Sequence, residues 1–360
     1  MSEDRGLASW LQLALTPGIG PSAIRALLGR FGLPEHVLAA PPGEIAKIAG
    51  TDVAGALRAM QPSAAVDASL HWADERGHAV ITLADADYPR LLLEIPDPPV
   101  LLYASGRREL LSRPALAIVG SRNATAQGLR NAEQFAQAFS AAGLTIVSGL
   151  ALGIDAAAHR GALRASGSTV AVLGTGVDVV YPRQHTELAG LVADQGLLLS
   201  EFPLGATASA HHFPRRNRLI SGLARGCLVV EAALGSGSLI TARAAAEQGR
   251  EVFAIPGSIH SPLSKGCHAL IKQGAKLVES AEDVLVELTG FHRTGAATTQ
   301  AEPVREDEPL LGHMGFDPID VDSLCSRTGL PAERVSADLL RLELDGRVAA
   351  LPGGTYQRLK

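Results

Sequence analysis

The side chains best suited to chemistry lie between His211 and Gly257. An arginine run comes first: Arg215, Arg216, Arg218 and Arg225, with no acidic residue between Phe213 and Gly226. An apolar strand over 227–230 follows and closes on Glu231, and a turn of Gly235, Ser236, Gly237 and Ser238 then opens a helix. Open α/β sheets bind ligands in the loops after the carboxyl ends of their parallel strands. A Gly/Ser turn there points backbone N–H groups at an anion. Guanidinium forks beside it match the planar oxygens of a phosphate. The chemistry expected is the holding of a phosphate-bearing partner.

Further strand ends feed the same face. After a strand at 115–119 come Gly120, Ser121 and Arg122, then Asn123 and Thr125 lead into a helix. The glycine permits a tight turn, Ser121 and the amides suit an anion, and Arg122 can fork onto a phosphate. After a strand at 145–148 come Gly149 and Leu150, then Asp155 and His159 at i, i+4 spacing. That pair reads as an acidic residue favouring a helix N-terminus and a packed histidine, rather than as an acid–base couple. After a strand at 169–173 a glycine-rich turn over 174–178 precedes Tyr181, Pro182 and Arg183, and Arg183 is a further candidate phosphate contact. Phe213 is a candidate platform for a stacked base.

Several chemistries lose their support. No strand ends in G-x-G-x-x-G, so a nicotinamide or flavin cofactor is not expected. There is no G-x-S-x-G elbow and no P-loop lysine. His211 and His212 have no spaced carboxylate or cysteine partner, so no metal is expected. Glu201 and Glu231 fall at strand ends, where they are expected to hold the forks of Arg122 or Arg218. The face reads as a binding surface without catalysis.

The elements that position these residues follow from the hydrophobic pattern. Strands at 115–119, 145–148, 169–173, 197–200, 227–230, 252–255 and 276–278 alternate with helical stretches. Continuous apolar strands bounded by helices predict an extended, Rossmann-like, mostly parallel sheet covered on both faces. Residues 1–80 read as an N-terminal helical domain. In it Pro17, Gly18, Ile19, Gly20 and Pro21 form a turn between amphipathic runs, of helix-hairpin-helix or SAM-like type. A degenerate second turn is expected within 46–60. Residues 81–290 read as the sheet domain, with 89–106 a proline-rich connector laid against it. Residues 291–310 lose periodicity and read as a linker. Residues 311–360 carry two helical runs and a hairpin about Pro352, Gly353 and Gly354, a winged-helix-like pattern. Its second helix holds Glu333, Asp338, Glu343 and Asp345 against Arg334 and Arg341, a poor guest for a phosphate-lined groove.

The 360 residues are 46% apolar and 19% charged, which suits a globular chain of two or three domains. A net charge of −5 excludes a histone-like coat of positive charge, so cations must be focused locally. Cys227, Cys267 and Cys325 lie far apart and form no Cys-x-x-Cys, which predicts a reduced, cytoplasmic protein. No signal peptide or membrane-length apolar run is read.

Taken together, AIVGSRNATAQG, IVSGLALGIDAAAHRGAL, AVLGTGVDVVYPRQH, LLSEFPLG, FPRRNRLISGL, LVVEAALGSGSLITARAAAEQGREVFAIPG and LIKQGAKLV resemble the DNA-processing protein A (DprA/Smf) family. The likeness covers nearly all of the chain from Tyr88 to Leu288. It implies a cytosolic homodimer that binds single-stranded DNA, protects incoming strands in natural transformation and loads the recombinase RecA, with no cofactor and no catalytic turnover. The family's DNA-contacting arginine falls on Arg122. Its aromatic and arginine–asparagine motif falls on Phe213, Arg216, Asn217 and Arg218, and its phosphate-cradling turn on Ser236, Gly237 and Ser238. Members often carry a basic or amide residue where this chain reads Ala210, His211, His212. Arg183 and Arg215 are the candidates to replace that contact.

Two other classes compete. A Rossmann-like phosphoribohydrolase would cleave nucleoside monophosphates, but its Gly-Gly-x-Gly-Thr turn with a following glutamate is not matched at 235–238. A transcription regulator would read DNA through the winged helix, against which the acidic second helix argues.

Overall fold

The computed structural model describes residues 2–61, 63–289 and 309–359. Its centre is a nine-stranded sheet. The strands are β1 (His78–Thr82), β2 (Leu101–Gly106), β3 (Ala115–Val119), β4 (Thr145–Ser148), β5 (Thr169–Val172), β6 (Leu197–Ser200), β7 (Gly226–Val229), β8 (Glu251–Ala254) and β9 (Lys276–Leu277). They lie in the order β1-β2-β6-β5-β4-β3-β7-β8-β9. Strands β3 to β9 run parallel, and β1 and β2 add antiparallel pairings at one edge.

The strand sequences explain the layering. All five residues of β3, ALAIV, are buried, as a parallel strand covered on both faces requires. Leu116 and Ile118 join the core beneath helices Ala126–Ala141 and Ile154–Leu163. The alternate residues Ala115, Ala117 and Val119 join the core beneath helices His212–Gly222 and Ser238–Glu247. From β3 the chain steps outward through β4, β5 and β6, then returns to pair β7 on the other side of β3. This is a topological switch point, and a crevice opens there above the strands' carboxyl ends.

The seven parallel strands follow the expected pattern to within a residue or two at their ends. Strands β1 and β2 do not. The stretch read as a proline-rich connector contains β2, whose residues Tyr103 to Gly106 pair with Ser200 to Leu197 of β6. Prolines at 96, 98 and 99 all precede β2, so they punctuate the approach to the strand without breaking its ladder.

At the N-terminus, helices Ser2–Leu15 and Pro21–Phe31 flank a turn in which Gly18 takes φ +84°. Helices Pro42–Ala49 and Thr51–Arg58 meet at Gly50, φ +91°. The first turn faces Pro99, Leu101 and Glu201 across a cavity of about 310 Å³, so it packs toward the sheet. The helical core, with Leu11, Leu13, Ile24 and Leu27, is continuous with Tyr103, Val192 and Leu198 at the sheet edge.

The linker expected over 291–310 lies outside the described residues except at its end, where helix Pro309–His313 begins. The C-terminal unit has strands β10 (Ile319–Asp320), β11 (Val348–Leu351) and β12 (Thr355–Arg358) beside helices Val321–Thr328 and Ala332–Leu344. That is a winged helix. Asp320 caps its helix by accepting from Ser323 N at 2.7 Å, and Gly329 ends it in the left-handed region. Arg130 Nη1 on the sheet domain donates to Gly346 O at 2.8 Å across the junction between the two units.

Tyr103 is fully buried, hydrogen-bonds Ser69 at 3.0 Å and meets Trp72 edge-on at 5.8 Å. Tyr103→Ala is expected to cost about 3–5 kcal/mol, and Tyr103→Phe about 1 kcal/mol. Both tryptophans, Trp10 and Trp72, lie in the N-terminal helices. Their fluorescence and the far-ultraviolet dichroism should therefore shift to the same lower urea midpoint. Separate midpoints would contradict a shared core.

Candidate nucleic-acid interface

A cleft of about 910 Å³ lies over the switch point. Its walls come from the loops after β3, β4, β5, β6 and β7, and from helix His212–Gly222.

The helix sorts its own side chains. Phe213, Arg216, Asn217 and Ile220 line the cleft, at i, i+3, i+4 and i+7 spacing. Arg215 and Arg218, also three apart, turn to another face. Arg218 donates through Nη2 to Glu201 and through Nη1 to Asp97 O. Arg215 Nη2 lies 3.4 Å from Glu201, and its guanidinium sits 5.4 Å from the Phe202 ring centroid. The arginine run is thus two surfaces, and Arg218 is a strut rather than a wall of the cleft. Helical spacing, applied residue by residue, was the signal that separates them.

The strut reaches the N-terminal helices. Arg25, on Pro21–Phe31, pairs with Asp97 at 2.6 Å and donates to Pro98 O at 2.8 Å. Glu201 is only 3% exposed. Burial raises its carboxyl pKa, against the pull of Arg218 and Arg215.

Arg216 forms the floor of the cleft. It is 4% exposed, and its Nη1 donates to Val172 O at 2.6 Å. Its guanidinium lies on Gly149, where a Cβ would displace it from this seat. Burial pushes its pKa down to about 10, partly offset by Asp155, so it stays charged at neutral pH. Asp155 accepts from Gly149 N at 3.1 Å and Ala151 N at 3.3 Å, folding the loop that makes the shelf. Burial raises its pKa, opposed by Arg216. Between them Leu150 takes φ +56°, an uncommon backbone for a branched residue. Leu150 N donates to His159 Nε2 at 3.3 Å, while His159 Nδ1 lies 2.8 Å from Thr169 Oγ1. Thr169 already gives its hydroxyl proton to Ile146 O, so His159 is the donor in that pair. Burial pushes its pKa down to about 3. It is a neutral packing group, as the i, i+4 reading expected.

Glu231 joins the cleft's two walls. Its carbonyl accepts from Ser121 N at 2.7 Å. Its carboxylate accepts from Thr125 N at 2.9 Å and Thr125 Oγ1 at 2.6 Å. The expectation that it would hold Arg122 is corrected, because the Thr125 groups take both of its oxygens. The same bonds occupy the Ser121 amide, and Ser121 Oγ accepts from Asn123 N at 3.1 Å. What the β3 loop offers is therefore the Arg122 side chain, whose guanidinium lies 5.5 Å from the Phe213 ring centroid.

On the opposite wall Ser236 and Ser238 share a hydrogen bond at 2.7 Å at the start of the Ser238–Glu247 helix. A Cβ at Gly235 or Gly237 would meet nothing within 4 Å, so the helix end is open to a ligand. Gly120 has the opposite reason for being glycine: a Cβ there would lie 2.6 Å from Ile154 Cγ1.

Of the expected site residues, the cleft thus gathers Gly120, Ser121, Arg122, Phe213, Arg216, Asn217, Ser236, Gly237 and Ser238. Gly149 lies beneath it, supporting Arg216. Arg215 and Arg218 lie outside it, and Arg183 is exposed on a neighbouring 3-10 turn. Ala210 lines the cleft without charge, while His212 stacks on Phe202 at 4.1 Å. Tyr181, which the sequence reading passed over, is also in the lining.

The mostly parallel sheet with its cleft at the switch point defines an α/β protein of Rossmann-like fold. Known proteins narrow the class. The family model for DNA recombination-mediator protein A matches residues 79–289, and that for the DprA winged helix domain matches 294–354. The chain is 45% identical to protein Smf of Escherichia coli K12 over 308 residues, covering 83% of this chain and 82% of that protein. It is 51% identical to DNA processing protein DprA of Streptococcus pneumoniae over 206 residues, covering 57% and 73%. The X-ray structure of DNA processing protein A from S. pneumoniae superposes with a TM-score of 0.70 at 41% identity, covering 79% of this chain and 99% of that one. The Helicobacter pylori DNA processing protein A, described for its single-stranded DNA binding mode, superposes at 0.54 and 29% identity, covering 59% and 97%. This chain belongs to the DprA/Smf family.

The strut yields a test. Arg218→Ala leaves the buried Glu201 carboxylate with only the half-exposed Arg215, whose Nη2 lies 3.4 Å away, and should cost about 3–5 kcal/mol near pH 7. Because burial raises the Glu201 pKa, lowering the pH protonates it and removes the unpaired charge. The deficit against wild type in urea denaturation should therefore shrink toward acid pH. A deficit independent of pH would mean that Arg218 acts by packing alone.

Proposed function

We propose that this protein binds single-stranded DNA in the switch-point cleft, protects incoming strands in natural transformation and loads RecA onto them. The observation that carries the reading is the cleft face of helix His212–Gly222. There Phe213, Arg216 and Asn217 face the same crevice as Arg122 and the Ser236–Gly237–Ser238 turn. Cations for phosphates beside rings for bases are what an unpaired strand needs. The H. pylori relative's description supports the choice of strand. RecA loading, homodimeric assembly and a cytoplasmic setting rest on the family likeness. So does a division into a helical domain (1–80), a DNA-binding domain (81–290), a linker and a winged-helix domain (311–360). No helix among the described residues is long and apolar enough to cross a membrane.

The protein is proposed to act by binding, not turnover. The acidic groups nearest the cleft are engaged: Asp155 by two amides, Glu231 by Thr125 and Glu201 by Arg218. His159 is buried and neutral.

Fluorescence anisotropy with labelled oligo-dT tests the site. Affinity should fall with salt by about 0.7 log units per log unit for each phosphate engaged. Arg122→Ala should weaken binding about 10- to 100-fold, the loss of a charge-assisted contact, and flatten the salt slope. Wild-type binding with no salt dependence would overturn the reading, and so would an Arg122→Ala variant that binds as tightly as wild type. Faster RecA filament growth on DNA coated with single-strand-binding protein is the expected result of adding wild type.

A further inference from the structure

Tyr181 stands apart from Phe213, the other aromatic residue lining the cleft. It lies on the loop after β5 and is 48% exposed. Its ring centroid is 5.8 Å from that of Phe213, with the planes inclined at 42°.

Phe213 has little free ring surface. A Cβ at Gly174 would lie 3.0 and 3.1 Å from two of its ring carbons, so the ring rests on that backbone. The Arg122 guanidinium covers it from another side. Phe213 is half-buried and held on three sides, whereas Tyr181 leans on it and keeps about half its surface in water. The Tyr181 hydroxyl makes no hydrogen bond among the described residues. An aromatic side chain has few torsions to freeze, and every base has a flat face to meet it. Here that surface borders a cleft whose cations are Arg122 and Arg216.

We propose that Tyr181 is a base-stacking residue of this cleft. One unpaired base lies on its open ring, Phe213 braces the ring from behind, and Arg122 and Arg216 hold the adjoining phosphate. The inference rests on the single-stranded DNA reading and adds the residue that recognises bases as distinct from backbone.

The test is a double-mutant cycle between the residue and the bases. Wild type, Tyr181→Ala and Tyr181→Phe are titrated with oligo-dT and with a tract of equal length in which every base is replaced by an abasic tetrahydrofuran. Wild type should prefer oligo-dT. Tyr181→Ala should reduce that preference by about 5- to 150-fold, the value of one aromatic–base stack, while binding the abasic tract as wild type does. Tyr181→Phe should keep the preference. A Tyr181→Ala variant with wild-type preference, or one that weakens on both ligands equally, overturns the inference and leaves the function standing. A wild-type protein that binds neither ligand removes the functional reading itself. Tyr181 is exposed, so unchanged thermal melting of the variants should confirm that the fold is intact.

Discussion

The two walls of the cleft belong to strands 110 residues apart in sequence, and Glu231 ties them together. Its carbonyl holds the Ser121 amide, and its carboxylate holds the amide and hydroxyl of Thr125. Thr125 also caps the Ala126–Ala141 helix, accepting from Gly128 N at 2.9 Å. A Cβ at Gly128 would run into the Glu231 carboxylate and push it from Thr125. One residue, through its carbonyl and its carboxylate together, therefore sets where the β3 loop sits and where its helix starts. A carboxylate accepting charge-assisted bonds suits this task, since such bonds are roughly twice as strong as neutral ones.

Much of this was legible in the sequence, for a physical reason. Strands covered on both faces need unbroken apolar runs, so β3, β4 and β6 announce themselves in ALAIV, TIVS and LLLS. Strands β1 and β2 escaped because they sit at an edge beside proline-rich chain, with weaker patterning. The glycine turns were legible as turns, but their reasons differ. Gly235 and Gly237 leave space, whereas Gly120 and Gly149 are filled against by Ile154 and Arg216. Sequence cannot tell these cases apart, because the filling atoms come from elsewhere in the chain. The same limit hid the partners of Ser121 and Arg218. Arg216 and Arg218 look alike as letters, and only the phase of the helix sends one to the cleft and the other to Glu201.

The helical N-terminus is more closely bound to the sheet than a string of domains implies. It shares a hydrophobic core with the β2 and β6 edge, and the chain Arg25–Asp97–Arg218–Glu201 runs from it to the back of the cleft helix. Of these pairs Arg218–Glu201 is the buried one, and such a pair adds little net stability but costs heavily when broken. The helix that carries Phe213, Arg216 and Asn217 is thus held in register from behind by residues outside the cleft.

At one position the chemistry decides between arginine and lysine. Burial over Gly149 pushes Arg216 down to about 10 from 12.5, and it remains a cation at any physiological pH. A lysine, ordinarily near 10.4, starts about two units below arginine, and the same burial would push it further down. The charge on the floor of the cleft would then be the more sensitive to a rise in pH. With guanidinium there, the deepest charge in the cleft is insulated from proton concentration.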